Sequence, residues 1–144
     1  MKIVFVCTGN TCRSPMAEGL ARKIFGRAIE VESMGLAAWE GDEASPQAVI
    51  VMEEKGIDLS SHRARPIIPE VLTEADWIIP MTSSHEAQLK SAFPELSSKI
   101  KPLGAWSKDG SQRDLKDPWG GSVEIYRDCA LQIEKYLHIV KENL

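Results

Sequence analysis

A buried strand that ends on a cysteine constrains this chain more than any other feature. Residues 3–6 read Ile-Val-Phe-Val, and the stretch "CTGNTCRS", residues 7–14, follows them directly. Such a short apolar run predicts a strand covered on both faces, because it offers no polar side chain to water. Ser14 and Pro15 then supply an N-cap and a first-turn residue for a helix. The sequence therefore predicts a strand, a tight loop and a helix, with Cys7 where the strand ends.

The rest of the chain alternates strand-like and helix-like segments. Further strands are predicted at 28–32, at 77–79 and at 100–103, the last at a sheet edge because it contains a proline. Helices are predicted after Ser14, between Ser45 and Gly56, near residues 84–92 and after Ser122, where the apolar face is Tyr126, Cys129, Ala130, Ile133, Leu137 and Val140. This pattern predicts one α/β domain over residues 1–144, with three layers (α/β/α) around a four-stranded parallel sheet. Ligands bind beyond the carboxyl ends of such strands, where residues 7–14 follow the first strand.

Composition narrows the classes of partner. The net charge of −4 over 144 residues gives no reason to expect nucleic acid or an anionic membrane. No apolar run has the length of a membrane span or of a signal-peptide core. Cys7, Cys12 and Cys129 do not have the spacing of a disulfide scaffold. We therefore expect a cytoplasmic monomer without a metal or cofactor, since the three histidines also lack the spacing of metal ligands.

The residue types in 7–14 indicate a nucleophile in an anion cradle. A cysteine at a helix N-terminus is activated by the helix dipole and by nearby peptide N–H groups, and small residues let the backbone curl around an anion. Arg13, with five residues between it and Cys7, adds a planar fork that grips two phosphate oxygens. Ser14 either caps the helix alone or also donates its hydroxyl to the thiolate. A structural interpretation of Cys7 and Cys12 is the alternative: they would be buried apolar residues or two ligands of a zinc site.

A second part of the site is expected near the C-terminus. Residues 104–121 carry almost no periodic apolar signal. A loop of this length without secondary structure usually forms part of a functional site. Asp117 precedes Pro118 there and is suited to protonate a leaving group. An ordinary Asp-Pro turn is the alternative for this pair.

Two stretches resemble a known family. "VCTGNTCRSPMAEGL", residues 6–20, is similar to the active-site loop of the low-molecular-weight protein tyrosine phosphatases, and "DPWGGS", residues 117–122, resembles their acid loop. The resemblance implies that Cys7 forms a phosphocysteine, that Arg13 holds the phosphoryl group and that Asp117 is the general acid. It also implies that Asn10 and Ser14 fix the loop and the thiolate. Substrate-binding residues are then expected to be Thr8, Gly9, Asn10, Thr11, Cys12, Ser14 and Trp119.

Thr11 bears on the substrate. Tyrosine-directed members usually carry a bulky aliphatic residue there, whereas Thr-Cys in the loop and Gly after "DP-aromatic" resemble bacterial protein arginine phosphatases. A hydroxyl from Thr11 and the carboxylate of Asp117 suit a flat cationic guanidinium, and Trp119 would stack on it. We therefore expect hydrolysis of phosphoarginine in phosphorylated proteins. The alternatives are phosphotyrosine hydrolysis, the less favoured arsenate reduction, and a phosphate-binding or carrier module without turnover. Cys12 is expected to trap an oxidised Cys7 as a reversible disulfide.

Overall fold

Three parallel strands form the central sheet of this computed structural model, which describes residues 1–107 and 114–144. The strands are β1 (Lys2–Cys7), β2 (Glu30–Gly35) and β3 (Trp77–Pro80), in the order β2-β1-β3. β1 lies in the middle because its residues from Ile3 onward are buried on both faces. The register places Cys7 opposite Gly35, so the carboxyl ends of β1 and β2 coincide.

The helices connect and flank these strands. The described residues contain α1 (Arg13–Phe25), α2 (Pro46–Glu54), α3 (Pro69–Glu74), α4 (Ser83–Ala92) and α5 (Val123–Glu142), together with 3-10 helices at Pro94–Lys99 and Leu103–Trp106. The short α3 is absent from the sequence-based prediction, because six residues are too few to establish a helical period.

Two helix ends follow the sequence signals closely. α2 ends in a Schellman motif, in which the N–H of Ile57 donates to the carbonyl of Met52 and that of Gly56 to Glu53. Gly56 has φ of +76°, a left-handed conformation that glycine adopts without strain. Ser122 caps α5, because its side chain accepts from the backbone N–H of Ile125. The predicted apolar face of α5 is buried at each of its six positions.

Alternate residues of β1 enter two separate apolar clusters. Ile3 and Phe5 pack with buried residues of α1, α2 and α5, whereas Val4 and Val6 pack with Leu72 of α3 and with residues of α4 and β3. This two-sided burial explains why the strand reads as an uninterrupted apolar run, and it fixes β1 as the support of the loop that follows it.

The prediction of a fourth strand at 100–103 is wrong. The segment makes only an isolated bridge, between Ile78 and Ile100, with one hydrogen bond from the N–H of Lys101 to the Ile78 carbonyl. Pro102 has no N–H with which to extend the ladder, and the chain turns into a 3-10 helix from Leu103 onward. The sheet therefore has three strands, not four, in the described part of the chain.

Two further boundaries differ from the prediction. The second strand runs from Glu30 to Gly35 rather than over 28–32, because residues 27 and 28 form a turn after α1 and the strand pairs with β1 along its whole length. The predicted loop 104–121 begins later than expected, since Leu103–Trp106 is helical and Trp106 packs edge-on against Trp77. Residues 108–113 of that predicted loop lie outside the described residues, and residues 114–117 have no helix or strand.

Over residues 1–107 and 114–144 there is no helix with the length and apolar character needed to cross a membrane.

Candidate active site

The loop between β1 and α1 brings a cysteine, an arginine and a serine together. Cys7 is the last residue of β1, and Arg13 is the first of α1. Cys12 occupies the N-cap position, so the prediction that Ser14 caps this helix is wrong. The Ser14 side chain instead points back along the loop, with its Oγ 2.9 Å from Cys7 Sγ.

Asn10 holds the loop in its unusual conformation. It is fully buried and has φ of +55°, a left-handed conformation uncommon for a residue other than glycine. Its Nδ2 donates to Ser14 Oγ at 2.8 Å and to Ser33 Oγ at 2.9 Å, while its Oδ1 accepts from the N–H of Arg65 at 3.1 Å. These bonds stabilise a strained residue, which is the usual condition under which such strain persists at a site.

Residues distant in sequence complete the support. His62 Nε2 lies 2.8 Å from the carbonyl oxygen of Asn10, to which it donates. Gly35 is required at the end of β2, because a Cβ there would lie 2.7 Å from the carbonyl oxygen of Thr8. Sequence reasoning missed His62 and Ser33 as parts of this site, since neither belongs to a motif.

His85, another residue that sequence reasoning missed, joins the loop to α4. Its Nε2 lies 2.9 Å from Thr8 Oγ1, and its Nδ1 lies 3.0 Å from Oγ1 of Thr82, the N-cap residue of α4. Burial lowers the pKa of His85 to about 4, and the nearby charge of Arg13 adds to this effect. The imidazole is therefore neutral at pH 7, with one nitrogen donating and the other accepting.

Burial dominates the electrostatics of Cys7. It raises the pKa of the Cys7 thiol, whereas the Ser14 hydroxyl, the backbone N–H groups of Ser14 and Asn10, and the charge of Arg13 act in the opposite direction. The net direction is upward. This is opposite to the direction that the helix N-terminus and the loop N–H groups predict by themselves, because the sulfur is almost completely removed from water.

Arg13 is buried and only partly satisfied. Its Nη1 donates to the carbonyl oxygen of Leu115 at 2.9 Å, and its Nη2 lies 3.6 Å from Asp117 Oδ2. Its Nε is buried and has no hydrogen-bond partner among the described residues. Arg13 thus connects the loop to the segment that carries Asp117, and keeps one donor available.

Eight of the ten predicted site residues line one cleft of about 400 Å³. Trp39 and Trp119 stand at its edge, 78% and 74% exposed. Asn10 and Ser14 do not line it, because they are fully buried and support the loop from behind. The lining residues are Cys7, Thr8, Gly9, Thr11, Cys12, Arg13, Trp39, Asp42, Asp117 and Trp119.

The other two cysteines differ from Cys7 in their surroundings. Cys12 Sγ contacts Ser45 Oγ at 3.0 Å and the hydroxyl of Tyr126 at 3.1 Å. Cys129 belongs to the apolar core, and burial raises its pKa to about 12. Where side chains are described, no group of three or more His, Cys, Asp or Glu residues is arranged to hold a metal ion.

Comparison with known proteins agrees with this geometry. The family model for low molecular weight phosphotyrosine protein phosphatases matches residues 2–144. The chain belongs to this family. It is therefore a cysteine-dependent phosphatase, as the resemblance in the loop and in "DPWGGS" predicted.

Relatives within the phosphatase family carry two kinds of name. A protein-arginine-phosphatase of Geobacillus stearothermophilus is 39% identical over 99% of this chain and 95% of its own length. The crystal structure of a low molecular weight protein tyrosine phosphatase from T. tengcongensis is 40% identical, covers 100% of this chain and 99% of that one, and has a TM-score of 0.93. A structure described as a cysteine-to-serine mutant of the arginine phosphatase YwlE, with a phosphorylated active-site serine, is 37% identical over 100% of this chain and 95% of that one, with a TM-score of 0.92.

Proposed function

We propose that this phosphatase hydrolyses phosphoarginine in proteins, with Cys7 as the nucleophile. The proposal is supported by full-length similarity to a protein-arginine-phosphatase and by the mutant structure with a phosphorylated serine in the active site. Thr11 and Asp117 line the cleft and offer a hydroxyl and a carboxylate to a guanidinium. Two exposed tryptophans at the edge provide faces on which a planar cation stacks.

The buried Nε of Arg13 is the observation that carries the phosphatase reaction, whichever side chain bears the phosphoryl group. An unpaired buried donor costs free energy, and a charged one costs more, unless a ligand satisfies it. An oxygen of a phosphoryl group placed over Cys7 supplies that acceptor, and the guanidinium charge balances the anion. Backbone N–H groups of Asn10 and Ser14 already point at the sulfur, so they lie close to the oxygens in the transition state.

The first step forms a sulfur–phosphorus bond. The thiolate is the nucleophile, so a Cys7 thiol gives up its proton before attack, and the phosphate dianion of the substrate is the base that accepts it. Cys7 Sγ then attacks phosphorus, and the bond from phosphorus to the leaving nitrogen breaks. Asp117 protonates that nitrogen and becomes a carboxylate, so that the arginine side chain leaves as a guanidinium and not as an unprotonated base.

The second step removes the phosphoryl group. Asp117, now a carboxylate, accepts a proton from a water molecule that attacks phosphorus. The sulfur–phosphorus bond breaks, inorganic phosphate leaves, and the Ser14 hydroxyl donates to the departing Cys7 sulfur from 2.9 Å. Thr8, Gly9, Thr11 and Cys12 form the wall of the cradle, and Trp119 covers the leaving group.

Phosphotyrosine hydrolysis is the second candidate. It is favoured by the 40% identical tyrosine phosphatase and by the indoles of Trp39 and Trp119, which are also suited to stack on a phenol ring. The same cysteine, arginine and aspartate serve either reaction, so only the leaving group differs.

Rates on matched phosphoarginine and phosphotyrosine peptides test the substrate. The proposal predicts a higher kcat/KM for phosphoarginine, and a higher value for phosphotyrosine would transfer the function to the second candidate. A Cys7→Ser variant controls for contaminating phosphatases. No turnover of either peptide by the wild-type protein would contradict the proposal altogether.

The domain organisation, the cellular location and the partners are also proposals. We infer one domain over residues 1–144 with helices layered on both sides of the sheet, supported by the two apolar clusters that share β1. The protein is proposed to work as a cytoplasmic monomer on phosphorylated protein substrates, without nucleic acid, in keeping with its net charge of −4. The Cys7–Cys12 disulfide stays a prediction.

A further inference from the structure

Asp114 makes two hydrogen bonds that the proposed mechanism does not use. Its Oδ1 accepts from the backbone N–H of Ser83 at 2.8 Å, and its Oδ2 accepts from the Ser83 hydroxyl at 2.8 Å. Ser83 is the first residue of α4, so its N–H is one of the donors that the helix leaves without an intrahelical partner. A carboxylate is favoured there by the helix dipole as well.

The same end of α4 is attached to the cysteine loop. His85 lies in the first turn of α4, and its imidazole bridges Thr82 of the cap to Thr8 of the loop. The first turn of α4 therefore has contacts to both sides of the cleft, through His85 to the loop and through Ser83 to Asp114.

Asp114 stands three residues before the proposed acid. Between them, the carbonyl oxygen of Leu115 accepts from Arg13, and the Leu115 side chain is buried in the core. Asp117 itself is exposed over about half of its side chain. Its Oδ1 accepts from the backbone N–H of Trp119 at 3.0 Å, and its Oδ2 lies 3.6 Å from Nη2 of Arg13. The bond from Trp119 fixes the carboxyl within its own turn, so the place of that turn over Arg13 depends on how the preceding residues are anchored to the rest of the fold.

We propose that Asp114 is a positioning residue, which anchors residues 114–117 on the N-terminus of α4 and so keeps the Asp117 carboxyl over Arg13. This inference rests on the proposed function, in which Asp117 protonates the leaving group. Asp114 acts through Asp117 and touches neither substrate nor sulfur. Loss of Asp114 is expected to slow the step in which Asp117 protonates the leaving group, because a small displacement of a catalytic group lowers the rate strongly.

Kinetics on two aryl phosphates test the inference. Phenyl phosphate needs protonation of its leaving oxygen far more than para-nitrophenyl phosphate does. Asp114→Ala is expected to lower kcat about 10- to 100-fold on phenyl phosphate and only slightly on para-nitrophenyl phosphate. Asp114→Asn keeps an acceptor for the Ser83 N–H and is expected to recover most of the loss. Asp76→Ala is the matched control, because Asp76 also accepts one backbone N–H, that of Lys2, at the opposite end of the sheet.

A double-mutant cycle separates positioning from general damage. In an Asp117→Asn background, Asp114→Ala should cause no further loss on phenyl phosphate, since the group it positions is absent. A full additional loss there, or an equal loss on both substrates, would overturn the inference. If Asp117→Asn alone leaves the difference between the two substrates unchanged, the proposed acid role fails instead. The two failures are therefore distinguishable.

Discussion

The loop of residues 7–14 and the segment of residues 114–121 form two sides of one cleft, but they are held in different ways. Asn10 and Ser14 are fully buried, and their side chains bond to each other and to neighbours across the fold. Asp117 and Trp119, in contrast, stand mostly in solvent, with Trp119 74% exposed.

This difference matches the two tasks of the proposed reaction. Stabilising a charged phosphoryl group requires donors that are in place before the substrate arrives, because reorganising them during the reaction would cost free energy. Protonating a leaving group requires a carboxyl at the edge, where the leaving group enters and departs. The buried loop therefore provides the binding geometry, and the exposed segment provides proton transfer.

Cys7→Ser removes the nucleophile from the buried loop and has the largest expected effect. We expect kcat to fall about 10⁴- to 10⁶-fold, while binding of inorganic phosphate persists because the backbone N–H groups and Arg13 remain. Calorimetric titration with phosphate and turnover of para-nitrophenyl phosphate measure the two properties. Loss of both would show that Cys7 has a structural role.

Asp117→Asn tests the segment side. Because the variant has no ionisable carboxyl, kcat should fall about 10²- to 10⁴-fold for substrates with poor leaving groups and much less for those with good leaving groups. The slope of log kcat against leaving-group pKa is the measurement. An unchanged slope would remove Asp117 from the acid role.

His85→Gln tests how firmly the loop is held. Burial keeps the folded-state pKa of His85 near 4, below the ordinary value of 6.5, so the unfolded chain binds the proton first as pH falls. The neutral imidazole therefore contributes stability that is present above pH 6.5 and is lost as pH falls toward 4, amounting to about 3 kcal/mol. Between pH 7 and pH 4, the free energy of unfolding measured with urea should therefore fall by about 3 kcal/mol more in the wild type than in His85→Gln.

The variant His138→Gln, which removes an exposed histidine of α5, is the control for that experiment. An identical loss in wild type and His85→Gln would show that His85 is not held neutral by the fold.

Thr11→Ile has the smallest expected effect, because it changes only the wall of the cradle. The added methyl groups and the lost hydroxyl should shift the ratio of kcat/KM for phosphoarginine over phosphotyrosine about tenfold toward phosphotyrosine. Competition between the two peptides gives the ratio directly. No shift would mean that Thr11 does not select the substrate.

Local signals accounted for the parts of the fold that the sequence predicted well. The strand before Cys7, the helix that follows Cys12 and the apolar face of α5 depend on short-range patterns, and all are present. The fourth strand was wrong because one proline without an N–H ended the ladder, a matter of pairing rather than of composition.

The support of the site could not be predicted in the same way. His85 meets Thr8 across 77 residues of sequence, and His62 meets Asn10 across 52. Such contacts follow from the topology of the sheet and leave no local motif. The pKa of Cys7 was also out of reach, because burial, the dominant effect on it, is a property of the whole fold.

Trapping the intermediate tests the central claim most directly. Wild-type protein mixed with a phosphoarginine peptide, quenched within one turnover and digested, should carry one phosphate per chain on Cys7, as mass spectrometry would show. The Asp117→Asn variant should accumulate more of it from para-nitrophenyl phosphate, whose leaving group needs little protonation, because removal of the phosphoryl group still needs the carboxylate. Phosphate found on another residue, or turnover at full rate without a phosphorylated Cys7, would contradict the account.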